Sequence, residues 1–141
     1  STHWAYQPLA RTVPPTPAAA PGARNPVDAF LRARLQSEGL TPAPEADRGT
    51  LLRRVTFDLT GLPPTPEAQR AFLADPDPHA YERTVDRLLE SPRYGERQAR
   101  FWMDAAHFAE THGHDQDRIR TNAWPYRDYL IRSFNQDTPY T

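Results

Sequence analysis

The stretch SPRYGERQARFWMDAAHFAE at residues 91–110 decides the fold. Ser91 followed by Pro92 is a typical helix start, because serine caps free N–H groups and proline fits the first turn. Apolar residues then recur at helical spacing, which predicts the longest helix of the chain, ending near Glu110. The face expected to be buried consists of Phe101, Trp102, Ala105, Phe108 and Ala109.

The segments around this helix carry further start signals, again built from a capping residue and proline. The alternation of Val55, Phe57 and Leu59 also fits a strand, so both interpretations stay open there. With short proline-containing connections, this pattern predicts an all-α orthogonal bundle of about six helices without a substantial sheet. The predicted helices begin at Asn25-Pro26, Asp47, Thr65-Pro66, Asp77-Pro78, Ser91-Pro92 and Trp124-Pro125.

Two regions are expected along the chain. Residues 1–24 contain five prolines, which favour an extended Pro-rich arm over a helix. Residues 25–141 form the predicted helical domain. The chain lacks an initial Met and stops just after a helical pattern, so we expect a fragment whose helical domain is truncated at its C-terminal end.

Composition excludes several classes of function. All 17 basic residues are Arg, but the net charge is −1, so the chain lacks the basic field of a non-specific nucleic-acid-binding protein. Cysteine is absent, which excludes disulfides, Cys-ligated metals, a thiol nucleophile and a CxxCH attachment site for c-type haem. No apolar run approaches the roughly 18 residues that a membrane span requires.

The densest polar cluster is HFAETHGHDQDRIRTNAWPYR at residues 107–127. If the long helix reaches Glu110, then Asp104, His107 and Glu110 lie about 60° apart on one helical strip. Imidazole with carboxylate suits Zn, Mn or non-haem Fe, whereas carboxylates with loop carbonyls suit Ca. The alternative is a solvated loop with local salt bridges, since the spacing matches no closed metal signature. The candidate metal ligands are His107, Glu110, His112, His114, Asp115 and Asp117.

A second group in the same cluster combines arginines with an amide and an indole. Such groups can hold a carboxylate, a sulfate or a sugar ring. Alternatively, Trp124 and Tyr126 are core anchors of the last helix, and Arg127 and Asp128 are structural partners of the preceding loop. The candidate ligand-binding residues are Arg118, Arg120, Asn122, Trp124 and Arg127.

Acid–base chemistry would require two titratable groups near one substrate. His107 with Glu110, or His114 with Asp117, would qualify, but no nucleophile motif or phosphate-binding loop accompanies them. Whether the protein is an enzyme therefore stays open, with catalytic residues unknown.

Four strings carry a resemblance to a known family: RNPVDAFLRARL, LTGLPPTP, SPRYGER and WPYRDY. The chain resembles the non-haem domain of unknown function found in planctomycete secreted proteins of the PSCyt type. The resemblance covers nearly everything from Asn25 to Tyr140. Acidic residues of the family match Glu110, Asp115 and Asp117, whereas histidines at positions 107, 112 and 114 are less typical of it.

The resemblance implies a periplasmic or secreted protein whose adjacent domains, a cytochrome c-like one and a C-terminal one, would be the partners of this chain. From the polar cluster, together with this setting, we predict a non-haem helical module that binds a ligand or partner through residues 107–127. One alternative is a metal-dependent hydrolase or oxidoreductase acting on carbohydrate. Another is a purely structural docking domain.

Overall fold

The fold is all-α, as predicted. The computed structural model describes residues 3–16 and 21–140, and within them there is no β-strand, only an isolated antiparallel bridge between Thr111 and Ile119. The strand interpretation of residues 55–59 is wrong, because they lie inside a helix. After a short 3-10 helix, Trp4–Tyr6, the helices are α1 Pro26–Ser37, α2 Arg48–Thr60, α3 Pro66–Ala74, α4 Ala80–Leu89, α5 Pro92–Ala105 and α6 Trp124–Asn135.

Local capping explains where most of these helices begin. Asn25 accepts a hydrogen bond from the N–H of Asp28 at 2.9 Å, and Asp47 accepts one from Thr50 at 2.9 Å. Thr65 and Ser91 cap α3 and α5 in the same way. These bonds satisfy N–H groups that have no partner inside the helix, so the starts were predictable from the sequence.

The chain divides into two compact units, residues 1–45 and 46–141. The predicted boundary lay at residue 24, whereas here α1 groups with the arm that precedes it. In the first unit, Arg32 donates to the carbonyl of Pro21 at 3.0 Å, and Ala29 is buried. Positions 1, 2 and 17–20 of the predicted arm, and position 141 of the predicted domain, lie outside the described residues.

The core of the second unit is small. Its buried cluster consists of Leu52 from α2, Phe72 from α3 and Ala80 at the start of α4. Beside it, the buried hydroxyls of Thr56 and Thr84 donate to carbonyls one helical turn earlier, so they carry no unsatisfied polar atom. Helix α2 contacts α3, α4 and α5, and it is therefore the centre of this unit.

The most extensive helix contact is between α5 and α6, and it depends on Gly95. The N–H of Gly95 donates to Oδ1 of Asn135 at 2.8 Å, and Nδ2 of Asn135 donates to the carbonyl of Pro92 at 3.2 Å. A Cβ atom at position 95 would lie 2.5 Å from the carbonyl oxygen of Ile131. Only glycine allows the two backbones to approach this closely.

The prediction that the long helix reaches Glu110 is wrong. Helix α5 ends at Ala105, and His107 adopts a left-handed conformation with φ of 53°. The N–H groups of His107 and Phe108 donate to the carbonyls of Asp104 and Met103, the pattern of a Schellman cap. Glycine usually occupies this left-handed position, so histidine gave no sequence signal for the end of the helix.

The predicted burial of one face of α5 is also largely wrong. Phe101 is 57% exposed and Trp102 40% exposed, and only Phe108 of the predicted set is half-buried. Helix α5 meets its neighbours through the small residues Gly95 and Ala99, so the apolar side chains of its C-terminal half are left outside the contact. Trp102 instead contacts Tyr140, with ring centroids 5.4 Å apart.

We expect Gly95→Ala to lower the free energy of unfolding by about 1–3 kcal/mol, because the added methyl group overpacks a backbone contact. Thermal and urea denaturation followed by circular dichroism measure this change. Gly49→Ala is the control, since its Cβ would lie 3.3 Å from a side-chain oxygen of Asp47 instead of meeting backbone. Equal stability of Gly95→Ala and wild type would contradict the close α5–α6 contact.

An Arg83 clamp joins the segment after α3 to α4. Arg83 donates to Oδ2 of Asp77 at 2.6 Å and to Oδ2 of Asp75 at 2.7 Å. The N–H of Asp77 lowers the pKa of Asp75, and the N–H of His79 lowers the pKa of Asp77, with Arg83 contributing to both. Both carboxylates are therefore more acidic in the folded chain than in the unfolded chain.

A depressed carboxylate pKa stabilises the fold above the unfolded pKa, and this stability is lost as the pH falls through the folded pKa. We therefore expect the urea concentration at the unfolding midpoint to decrease as the pH is lowered through about 4, the unfolded pKa of aspartate. Asp75→Asn combined with Asp77→Asn should flatten this part of the profile. The contributions of Asp47 and Glu67 would stay, because the N–H of Thr50 lowers the pKa of Asp47 and the N–H of Glu67 lowers the pKa of its own side chain. An unchanged profile in the double variant would contradict the contribution of the clamp.

Candidate functional site

Residues 106–123 connect α5 to α6 as a hairpin-like loop, here called the 106–123 loop. The N–H of Arg120 donates to the carbonyl of Glu110 at 2.8 Å, and the N–H of His112 donates to the carbonyl of Arg118 at 2.9 Å. The two arms of the loop therefore run antiparallel and hold each other by backbone hydrogen bonds. This pairing gives the loop a defined shape without making it a strand or a helix.

A salt bridge ties this loop to α6. Arg127 donates to Oε1 of Glu110 at 2.5 Å and to Oδ1 of Asp128 at 3.2 Å. The interpretation of Arg127 and Asp128 as structural partners of the preceding loop is confirmed for Arg127, whose guanidinium links the loop to the helix. Glu110 is consequently engaged in an ion pair.

The tip of the 106–123 loop is exposed to solvent. His114, Asp115 and Asp117 are all exposed there, and His114 and Asp117 have left-handed φ values of 66° and 35°. Left-handed conformations are uncommon for residues other than glycine, and such strain is often found at functional sites. Among the described residues, four residues other than glycine have positive φ: His107, His114 and Asp117 lie in this loop, and Asp137 follows α6.

The structure does not assemble the predicted metal ligands. Over residues 3–16 and 21–140, no group of three or more His, Cys, Asp or Glu side chains is arranged to hold a metal ion. The helical strip through Asp104, His107 and Glu110 does not form, because α5 ends before His107. Of the remaining candidates, His112 lies on one arm of the loop and Glu110 is paired with Arg127, whereas His114, Asp115 and Asp117 lie at the exposed tip.

A cavity of about 610 Å³ lies between the 106–123 loop and the start of α6. Its apolar wall includes Phe108 and Tyr126, whose ring centroids are 6.0 Å apart. Its polar wall is formed by His107, His112, Arg120, Thr121 and Asn122. This cavity is the candidate functional site.

The predicted ligand-binding residues are only partly brought together. Arg120 and Asn122 line the cavity, whereas Arg118 is exposed and Arg127 is engaged by Glu110. Trp124 is 52% exposed, so it is not the core anchor that the alternative interpretation expected. Thr121 and Tyr126 line the cavity but were not among the predicted ligand-binding residues. Two sequence signals could have identified these residues as ligand-binding candidates. Thr121 lies between Arg120 and Asn122, and Tyr126 lies in the WPYR string.

The model of the PSCyt2 family, described as a protein of unknown function (DUF1549), matches residues 26–141. This chain belongs to the PSCyt2 family. The resemblance predicted from the sequence strings is therefore confirmed. No curated protein and no solved structure gives a match.

In this PSCyt2 chain, Arg120 is the guanidinium available to a ligand in the cavity. Its Nε donates to Nδ1 of His112 at 3.3 Å, which orients the side chain. Its two terminal nitrogens form no hydrogen bond or ion pair with any residue that the structure describes. Separately, none of the described helices is long and apolar enough to cross a membrane.

We expect Arg127→Gln to loosen the 106–123 loop without unfolding the domain. The salt bridge is partly exposed, so its loss should cost at most about 1 kcal/mol of global stability. Amide hydrogen exchange at His112 and Arg120 should become faster, because the loop arms lose their link to α6.

Arg93→Gln is the matched control, since Arg93 pairs with Glu96 within α5 and does not touch the loop. Equal exchange rates at His112 and Arg120 in both variants would show that the Glu110–Arg127 pair does not hold the loop.

Proposed function

We propose that this PSCyt2 chain is a non-haem binding module that holds a small carboxylate-bearing, hydroxyl-rich ligand, such as an acidic sugar, in the cavity of the 106–123 loop. The observation that carries the proposal is the orientation of Arg120. Arg120 lines the cavity, donates to His112 through Nε, and has no partner for its terminal nitrogens among the described residues. A planar guanidinium with two free nitrogens matches the geometry of a carboxylate.

The rest of the cavity wall favours a ligand with hydroxyl groups. Thr121 and Asn122 supply both donors and acceptors, and His107 adds a ring nitrogen. Tyr126 and Phe108 supply an apolar surface against which the carbon skeleton of a sugar ring can pack. A site with a few polar groups over an apolar wall is typical of small-ligand binding.

The wider setting is part of the same proposal. The family name associates such chains with cytochromes, and this chain contains no cysteine for haem attachment. We therefore assign haem to a neighbouring cytochrome c-like domain of the full-length protein, in the periplasm or outside the cell. The module would bring its bound ligand close to that redox domain.

The test uses galacturonate as the probe and galactose as its neutral counterpart, with affinities measured by isothermal titration calorimetry. We expect galacturonate to bind more tightly than galactose, and Arg120→Gln to weaken galacturonate binding at least about tenfold, because a charge-assisted hydrogen bond is lost. Arg118→Gln is the matched control, since Arg118 is an exposed arginine of the same loop. The control should bind galacturonate like wild type.

Two results would contradict the proposal. One is the absence of measurable binding of either sugar to folded wild type. The other is equal loss of binding in Arg118→Gln and Arg120→Gln, which would show a diffuse charge effect instead of a site.

A further inference from the structure

Arg97 of α5 lies near two phenylalanine rings and has no polar partner among the described residues. Its Cζ atom is 4.9 Å from the ring centroid of Phe101 and 5.8 Å from that of Phe57. Its Nε atom is buried and lacks a hydrogen-bond partner, and no described residue forms an ion pair with the guanidinium. Buried donors are nearly always satisfied, so this arginine requires an explanation.

The rings that flank Arg97 are themselves open to solvent. Phe57 is 48% exposed, and Leu62, which follows the left-handed Gly61 at the end of α2, is 49% exposed. A Cβ on Gly61 would lie 3.2 Å from Cδ of Arg97, so the aliphatic part of Arg97 passes directly over this turn. We call the surface formed by Phe57, Leu62, Arg97 and Phe101 the Arg97 surface.

Intramolecular contacts do not account for this arrangement. Cation–π contacts with two rings compensate part of the cost of the unsatisfied donor, but they leave the rings and the terminal nitrogens uncovered. Arginine flanked by aromatic rings is the composition found at the centre of protein–protein interfaces. In that setting the partner covers the rings and supplies the missing acceptor.

The charges around the Arg97 surface are mainly basic. Arg53 and Arg54 precede Phe57 by four and three positions on α2, and Arg100 follows Arg97 by three positions on α5. None of these three arginines forms an ion pair with a described residue. The acidic residues of α2 and α5 are Asp58, Asp104 and Glu96, and Glu96 is paired with Arg93, so basic groups outnumber acidic ones on these two helices.

We propose that the Arg97 surface is a docking site for a protein segment that presents an Asp or Glu carboxylate beside an apolar side chain. The carboxylate would accept from the terminal nitrogens of Arg97, and the apolar side chain would cover Phe57 and Phe101. A nucleic acid is a poorer fit, because the net charge of the chain is −1 and the centre of the surface is apolar. This site lies on α2 and α5 and does not depend on the ligand cavity.

A random peptide library displayed on phage is first depleted of peptides that bind Arg97→Gln. The remaining phage are then selected for binding to wild type. We expect the selected peptides to share an acidic residue next to a large apolar one. Replacing that acid by its amide, or Arg97 by Gln, should each weaken binding at least about tenfold, as expected for a hot spot. The two changes together should weaken binding little further, because they remove the same contact.

Arg100→Gln is the matched control, an exposed arginine one turn along α5, and should bind the selected peptides like wild type. The proposal is overturned if the selected peptides lack acidic residues or bind Arg97→Gln and Arg100→Gln equally. It is also overturned if duplex DNA competes for the surface at physiological salt, or if sedimentation shows self-association that Arg97→Gln abolishes.

A folding control separates docking from a structural role. Arg97→Met keeps much of the side-chain volume and removes the unsatisfied donor, so its melting temperature should equal or exceed that of wild type while peptide binding is lost. If Arg97→Met melts at a lower temperature than Arg100→Met, then Arg97 stabilises the fold, and the proposal fails.

Discussion

The close contact between Gly95 and the end of α6 is the constraint on which the site depends. Helix α6 contacts α5 and no other helix in the described residues, so this contact sets the position of α6 within its unit. Asn135 strengthens it from the side by bonding the backbone of α5 at two points. The 106–123 loop leaves one of these helices and enters the other, so their spacing determines how far apart the loop ends lie.

The 106–123 loop obtains its shape from hydrogen bonds between its two arms, and not from burial of its side chains. Backbone hydrogen bonds join its two arms, and the Glu110–Arg127 pair fixes one arm to α6. The loop begins at the Schellman cap of α5, where His107 is left-handed, and a cavity lies beside the start of α6. The two arginines differ in their partners: Arg127 pairs with the carboxylate of Glu110, whereas Arg120 donates to an imidazole nitrogen of His112 and has no ion-pair partner among the described residues.

The sequence predicted the parts of the fold that depend on local chemistry. The caps at Asn25, Asp47 and Thr65 were recognisable because each is bonded within a few residues. The end of α5 was not, because a histidine occupies the left-handed position. For the site, Arg120 and Asn122 were found from composition. The division of the candidate metal ligands between the cavity, the Glu110–Arg127 pair and the exposed tip depends on contacts between residues far apart in the sequence, which have no local signature. The exposure of Phe101 was likewise not predictable, because α5 meets its neighbours through Gly95 and Ala99.

The small core described for the second unit has a thermodynamic consequence. Its buried cluster contains two large side chains, Leu52 and Phe72, while many aromatic rings stay in contact with water. The heat-capacity increase on unfolding comes mainly from newly hydrated apolar surface, and it determines how strongly the free energy of unfolding curves with temperature. We therefore expect a flatter stability curve than in a domain of equal length with a larger core, so that cooling weakens this fold comparatively little.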